Sequence, residues 1–172
     1  MNESTIALHL TDEAATSTLG AALAEAIRAI SQDIEASGLH VAVAGELGSG
    51  KTTLVRATLR RLGVSGAVKS PSFALLEPYE VSRLHLYHFD FYRFKIPREF
   101  AESGFLEFFE PGNVCIVEWP ERAGDYLPTS DLSIRLSVLE IGRSAQISAN
   151  TRIGEQCLCQ LRNCLEPERA DD

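Results

Sequence analysis

Residues 39–62 read LHVAVAGELGSGKTTLVRATLRRL. The apolar run from Leu39 to Ala44 has the length and composition of a buried strand. A glycine-rich turn follows, and a helix-forming stretch then runs to Gly63. Within the turn, Gly45, Gly50, Lys51 and Thr52 satisfy the pattern G-x-x-x-x-G-K-[ST]. In that pattern glycines let backbone amides close around phosphate oxygens, the lysine reaches the β and γ phosphates, and the hydroxyl serves a magnesium ion. Strand, turn and helix in this order make one βα unit of a phosphate-binding domain.

Upstream, Thr11 followed by Asp12 and Glu13 marks a helix start, because a hydroxyl can cap free amides and acids suit the positive end of the helix dipole. Leu19, Leu23, Ile27, Ile30 and Ile34 recur at helical spacing until Gly38, which predicts one continuous helix. Downstream, SFALLEPY (72–79) and LHLYHFDFY (84–92) carry the apolar and aromatic content of two strands. A short helix is expected over 97–109, and VCIVEW (114–119) is another buried strand. DLSIRLSVL (131–139) and RSAQISA (143–149) alternate about a turn containing Gly142, which predicts an antiparallel hairpin. A last helix spans 153–165 and leads to a polar tail, residues 167–172, expected to fray. The expected architecture is a single α/β domain over residues 1–166, a P-loop NTPase sandwich with a mixed, mostly parallel sheet and a C-terminal antiparallel hairpin. Its ligand site belongs at the carboxyl ends of the central strands.

The chain has 172 residues, 45% of them hydrophobic, enough for one domain with a proper core and too few for a two-domain enzyme. A formal net charge of −8 repels polyanions, so bulk electrostatic gripping of nucleic acid is excluded and any RNA contact must be local or borrowed from a partner. The N-terminal stretch has neither a basic nor a long apolar region, and no window approaches a membrane span, so a cytoplasmic protein is expected. Of the four cysteines, Cys115 lies in an apolar run. Cys157, Cys159 and Cys164 are spaced C-x-C-x4-C, which lacks a fourth ligand for zinc and predicts reduced thiols on the terminal helix.

A phosphate loop also needs an acid at the end of a neighbouring strand to hold magnesium or orient water. Asp90 after LHLYHF and Glu118 after VCIV both stand where a strand emerges beside the loop. Between them and the loop, KSPSFALLEPY contains Ser70-Pro71-Ser72, either a plain proline turn or a switch that feels the γ-phosphate through the Ser72 hydroxyl. His85 and His88 lie three apart on one strand and face opposite ways, so His88 reads as a packed or hydrogen-bonded histidine. Trp119 reads either as core or as a neighbour of the nucleotide. Arg56, Arg60, Arg61 and Lys69 form a solvated helix face or a docking surface.

Six segments resemble one family: DEAATSTLG (12–20), GELGSGKTT (45–53), VKSPSFALLEPY (68–79), YHFDFYR (87–93), IVEWPER (116–122) and GRSAQISA (142–149). In this order and spacing they are similar to TsaE, the bacterial ATPases of the tRNA threonylcarbamoyladenosine pathway. The resemblance implies a small ATPase that joins TsaB and TsaD in forming the threonylcarbamoyl group on adenosine 37 of tRNAs reading codons that start with A. TsaD and its partner perform the transfer, ATP hydrolysis resets the complex between turnovers, and tRNA is met through the complex. It also implies site residues. Gly45, Glu46, Leu47, Gly48, Ser49, Gly50, Lys51, Thr52 and Thr53 bind ATP, Thr16 and Arg143 approach the nucleotide, Thr52 and Glu118 hold magnesium, and Asp90 assists hydrolysis together with Lys51. One departure is Ser72, where the family commonly has threonine, which keeps the hydroxyl and loses the stiffening methyl.

Two other classes compete with a timing ATPase. One is a small-molecule kinase acting on a nucleoside-type acceptor, and the other is a binding module without turnover. A kinase of this size needs an arginine-rich lid, and only Arg93 and Arg98 lie between Asp90 and Glu118. Hydrolysis by the isolated chain is expected to be slow, since the loop itself carries no arginine finger and Arg93, Arg122 or a partner must supply one.

Overall fold

The computed structural model describes residues 4–71 and 73–166. Seven strands form one sheet: β1 (Thr5–Leu10), β2 (Leu39–Gly45), β3 (Leu76–Val81), β4 (Leu84–Asp90), β5 (Asn113–Glu118), β6 (Leu132–Val138) and β7 (Arg143–Ala149). Their spatial order is β1-β7-β6-β2-β5-β4-β3. The four central strands β6, β2, β5 and β4 run parallel, and β7, β1 and β3 add to the two sides antiparallel, so the sheet is mixed as expected. The helices are α1 (Glu13–Ala29), α2 (Ser31–Ser37), α3 (Lys51–Leu62), α4 (Arg98–Ser103) and α5 (Arg152–Leu165).

Alternation along the strands divides two cores. Val41 and Val43 of β2, Leu84 and Leu86 of β4, and Val114 and Ile116 of β5 face α1, α3 and α5, meeting Leu19, Leu23, Ile27, Leu54, Leu59 and Leu161. Residues of opposite parity, Phe89, Cys115 and Val117, face an aromatic cluster with Phe91, Phe94 and Phe100. Phe91 and Phe94 stack there at 4.6 Å between centroids. This second cover lies over β4 and β5. Over β2, β6 and β7 the same face of the sheet opens into a cleft of about 390 Å³ lined by Ser133, Arg135, Gln146 and Ser148.

Several boundaries differ from the sequence reading for local reasons. β1 has no counterpart in it, although Ile6, Leu8 and Leu10 alternate inward; six residues at a chain end are too short a window to distinguish. The cap of α1 is Asp12, whose side chain accepts from the amide of Ala15 at 2.8 Å, rather than Thr11. The predicted continuous helix breaks at Ile30, where φ is −108° and ψ 18°. Ile27, Ile30 and Ile34 are all buried across the break, so hydrophobic spacing does not reveal it. The helix expected over 97–109 ends at Ser103, Gly104 turns the chain, and a single 3-10 turn covers Phe105–Phe108. β3 begins at Leu76, after Leu75 with φ +65°, so residues 73–75, which read as strand, lie in a turn, and Ser72 lies outside the described residues. The tail at 167–172 also lies outside them. All four cysteines are free, with Cys115 and Cys157 buried and Cys159 and Cys164 exposed. Arg61 pairs with Glu25 at 2.6 Å and Arg56 donates to the carbonyl of Val68, so two of the four basic residues brace α3. Among the described residues no helix is long and apolar enough to cross a membrane.

Gly20 sets the distance between α1 and α3. A Cβ there would stand 2.6 Å from the carbonyl oxygen of Leu54 and 2.7 Å from the Cβ of Ala57. The Thr58 hydroxyl, fully buried, donates to the Gly20 carbonyl at 3.0 Å across the same contact. Gly20→Ala removes a helix-propensity penalty of about 1 kcal/mol but forces the helices apart. A net loss of about 1–3 kcal/mol is expected in urea unfolding, and a gain would show that the helices relax freely.

His40 on β2 is 5% exposed, with its ring edge-on to Phe109 at 4.9 Å. Burial pushes its pKa down to about 4, against the pull of the Asp131 carboxylate. The unfolded chain protonates this ring near 6.5 while the folded chain keeps it neutral to about 4, so between those values the unfolded state binds more protons. Stability therefore falls as pH falls through that window. Urea midpoints measured from pH 7 to pH 4 should decline less steeply in His40→Leu than in the unaltered protein.

Candidate functional site

At the carboxyl end of β2 the chain turns on glycine. Gly45 has φ +153°, and a Cβ on it would stand 2.5 Å from both the Ser49 Oγ and the Leu136 carbonyl oxygen. Gly50 has φ +99°, with the Arg143 guanidinium packed where its Cβ would be. Helix α3 starts directly after it with no side-chain cap, leaving its first amides free for an anion. Lys51, only 5% exposed, curls back and donates to the carbonyls of Gly45 and Glu46 at 2.7 and 2.8 Å. The Trp119 ring lies over its ammonium, 4.0 Å from nitrogen to centroid, because Trp119 adopts φ +57° as the chain leaves β5. Burial lowers the Lys51 pKa, opposed by the carboxylates of Glu118, Glu121, Asp90 and Glu46.

The parallel register β4–β5 sets Asp90 opposite Glu118, and β2–β5 sets Val43 opposite Glu118, so both acids end their strands beside the loop. Glu118 is 1% exposed and Asp90 5%. The Thr52 hydroxyl donates to Glu118 Oε2 at 2.9 Å. Asp90 is held on both oxygens, Oδ1 accepting from the Tyr92 amide at 2.9 Å and Oδ2 from the Ser70 hydroxyl. These groups meet in a cleft of about 470 Å³ that also includes Leu47, Gly48, Thr53 and Arg143.

Not every sequence candidate faces that cleft. Thr16 is buried behind Gly50, its methyl 3.6 Å from where a Cβ on Gly50 would lie and its hydroxyl bonded to the Asp12 carbonyl. The carboxylate of Glu46 accepts from the Val138 amide at 3.2 Å, tying the loop to the β6–β7 turn, and Ser49 is fully buried within the loop. Leu47 stands at the rim of the cleft, 73% exposed.

Three contacts are missing from the sequence reading. Ser70 supplies a hydroxyl that meets Asp90. Trp119 is partly buried against the aromatic cluster and also covers Lys51. His88 is hydrogen-bonded as read, but its partner is Glu118 at 2.8 Å. Its signal was available in principle, since His88 precedes Asp90 by two residues and so shares its face of β4.

Free amides and a buried ammonium beside paired carboxylates and a hydroxyl can accept a polyphosphate together with a hard divalent cation. The family model described as threonylcarbamoyl adenosine biosynthesis protein TsaE matches residues 10–145. A protein named tRNA threonylcarbamoyladenosine biosynthesis protein TsaE from Haemophilus influenzae is 34% identical over 119 residues, covering 69% of this chain and 75% of that one. One of the same name from Treponema pallidum is 38% identical over 105 residues, covering 61% and 77%. The crystal structure of YdiB from Bacillus subtilis shares the fold, with a TM-score of 0.73 at 23% identity over 92% of this chain and 95% of that one. With the model matched across most of its length, and with relatives of that name on both counts, the chain belongs to the TsaE family of threonylcarbamoyl adenosine biosynthesis proteins.

Proposed function

We propose that the chain is the ATP-hydrolysing subunit that acts in the cytoplasm with TsaB and TsaD to form the threonylcarbamoyl group on adenosine 37 of tRNAs reading codons that start with A. Its hydrolysis resets the complex between turnovers, and tRNA is reached through the complex. The observation that carries the reading is the Thr52 hydroxyl bonded to buried Glu118 beside Lys51, in one cleft with Asp90. Hydroxyl and carboxylate oxygens are ligands that magnesium takes, so Thr52 and Glu118 fit as its holders. Magnesium, when bound, neutralises charge on the β and γ phosphate oxygens. The residues from Gly45 to Thr53 wrap the phosphates, Lys51 balances their charge, and Thr16 and Arg143 brace the loop at Gly50. Asp90, held on both oxygens, orients the attacking water.

The kinase alternative lacks its clamp. Arg98 is paired with Glu102 at 2.8 Å, and Arg93 lies over the Phe73 ring at 4.1 Å. Arg122 lies 5.8 Å from the centroid of the Trp119 ring that covers Lys51, and is our candidate for a finger in cis.

Magnesium-dependent phosphate release from ATP is expected without any acceptor, slow for the chain alone and faster once TsaB, TsaD and tRNA are added. Lys51→Ala and Glu118→Ala should each lower the rate by about a hundredfold or more. Unchanged turnover in either variant would remove the site assignment. A phosphorylated product from a panel of nucleosides would replace the ATPase reading with the kinase one.

A further inference from the structure

The inward face of β4 runs Leu84, Leu86, His88, Asp90, and the neighbouring face of β5 runs Val114, Ile116, Glu118. The first two positions of each belong to the apolar core. His88 stands opposite Ile116 in the register, is 0% exposed, and occupies a site that a leucine would fill without desolvating two ring nitrogens. Its Nδ1 has no hydrogen-bond partner among the described residues. Its polar contact is Nε2 with Glu118 Oε1 at 2.8 Å. An ionised carboxylate only accepts, so this contact requires the hydrogen on Nε2.

Glu118 has three side-chain torsions and sits at the end of a strand, after which the chain turns sharply at Trp119. Thr52 restrains it from the loop side and reaches both oxygens, at 2.9 and 3.2 Å. That hydroxyl is also the one assigned to the cation. A second donor, from the strand side, keeps the carboxylate aimed when Thr52 is engaged.

We propose that His88 is a positioning residue for magnesium: its Nε2–H pins Oε1 of Glu118 from within the core, so that the carboxylate meets the cation already oriented. The proposal rests on the reading of Glu118 as the magnesium acid. Partners that orient a metal-binding side chain through a hydrogen bond commonly carry a 10- to 100-fold share of metal affinity. Among the described residues His88 makes no hydrogen bond to the loop, so its removal should act on the metal and leave metal-free nucleotide binding alone.

The test pairs His88→Met with His88→Gln, two side chains of similar length of which only glutamine carries a donor. Manganese, a probe that carboxylate and hydroxyl ligands also accept, is titrated into the ADP complex and followed by electron paramagnetic resonance. ADP affinity without metal and thermal unfolding are measured alongside. His88→Met should weaken manganese binding about 10- to 100-fold at unchanged metal-free ADP affinity, and His88→Gln should recover most of the loss. Manganese binding unchanged in His88→Met, or lost equally in both variants, overturns the proposal. Glu118→Gln is the control: if it binds manganese normally, the acid assignment fails, and that of His88 with it. Should His88→Met not fold, nitrogen-15 spectra of the unaltered protein decide. The Nε2–H tautomer supports the proposal, and the Nδ1–H tautomer, which cannot donate to Glu118, overturns it.

Discussion

The hydroxyl of Thr52 donates to the carboxylate of Glu118 across a separation of 66 residues, and the rest of the site is arranged around that bond. It joins the first turn of α3 to the end of β5, and therefore holds the glycine-rich turn against the sheet. For the bond to form, β5 must lie beside β2 in parallel, with Glu118 level with Val43. The helix must also begin at once after Gly50, which leaves its first amides unsatisfied and available. A carboxylate this buried is costly unless its oxygens are occupied, and Thr52 and His88 occupy them.

The two faces of the sheet serve this arrangement unequally. Helices α1, α3 and α5 form a continuous apolar layer on one side, with α1 and α3 in backbone contact through Gly20. That close packing makes the start of α3 a rigid platform for the loop. On the other side the aromatic cluster centres on β4 and β5, the two strands that end in the acids. The strands that need accurate placement are thus the ones covered on both faces, while β6 and β7 leave one face to the open cleft. Beyond the strand ends, chain direction depends on unusual backbone: Trp119 in the left-handed region swings its ring onto Lys51, and Leu75 in the same region turns the Ser70 segment into β3.

Much of this was legible along the chain. Apolar and aromatic runs located β2, β4 and β5, alternation located β6 and β7, and glycine and polar boundaries bracketed α3 and α5, all nearly to the residue. The glycine-lysine-threonine run identified the loop, and the position of Asp90 and Glu118 at the ends of apolar runs identified the acids. Where one pattern spanned two structures it misled. The isoleucines at 27, 30 and 34 keep helical spacing through the break at Ile30, since the core needs all three buried whether or not the backbone is continuous.

By itself, then, the sequence determined most of the elements, the glycine-rich turn between β2 and α3, and the acids that end the neighbouring strands. These are local properties, written in residue type and spacing. Only the tertiary structure decided which side chains meet: Ser70 with Asp90 across 20 residues, His88 with Glu118 across 30, Trp119 over Lys51, and Arg143 against Gly50. Each of these depends on strand order and register, and no short stretch of chain specifies either one. The burial that unites His88 with Glu118 exists only once β4 and β5 lie side by side beneath α3.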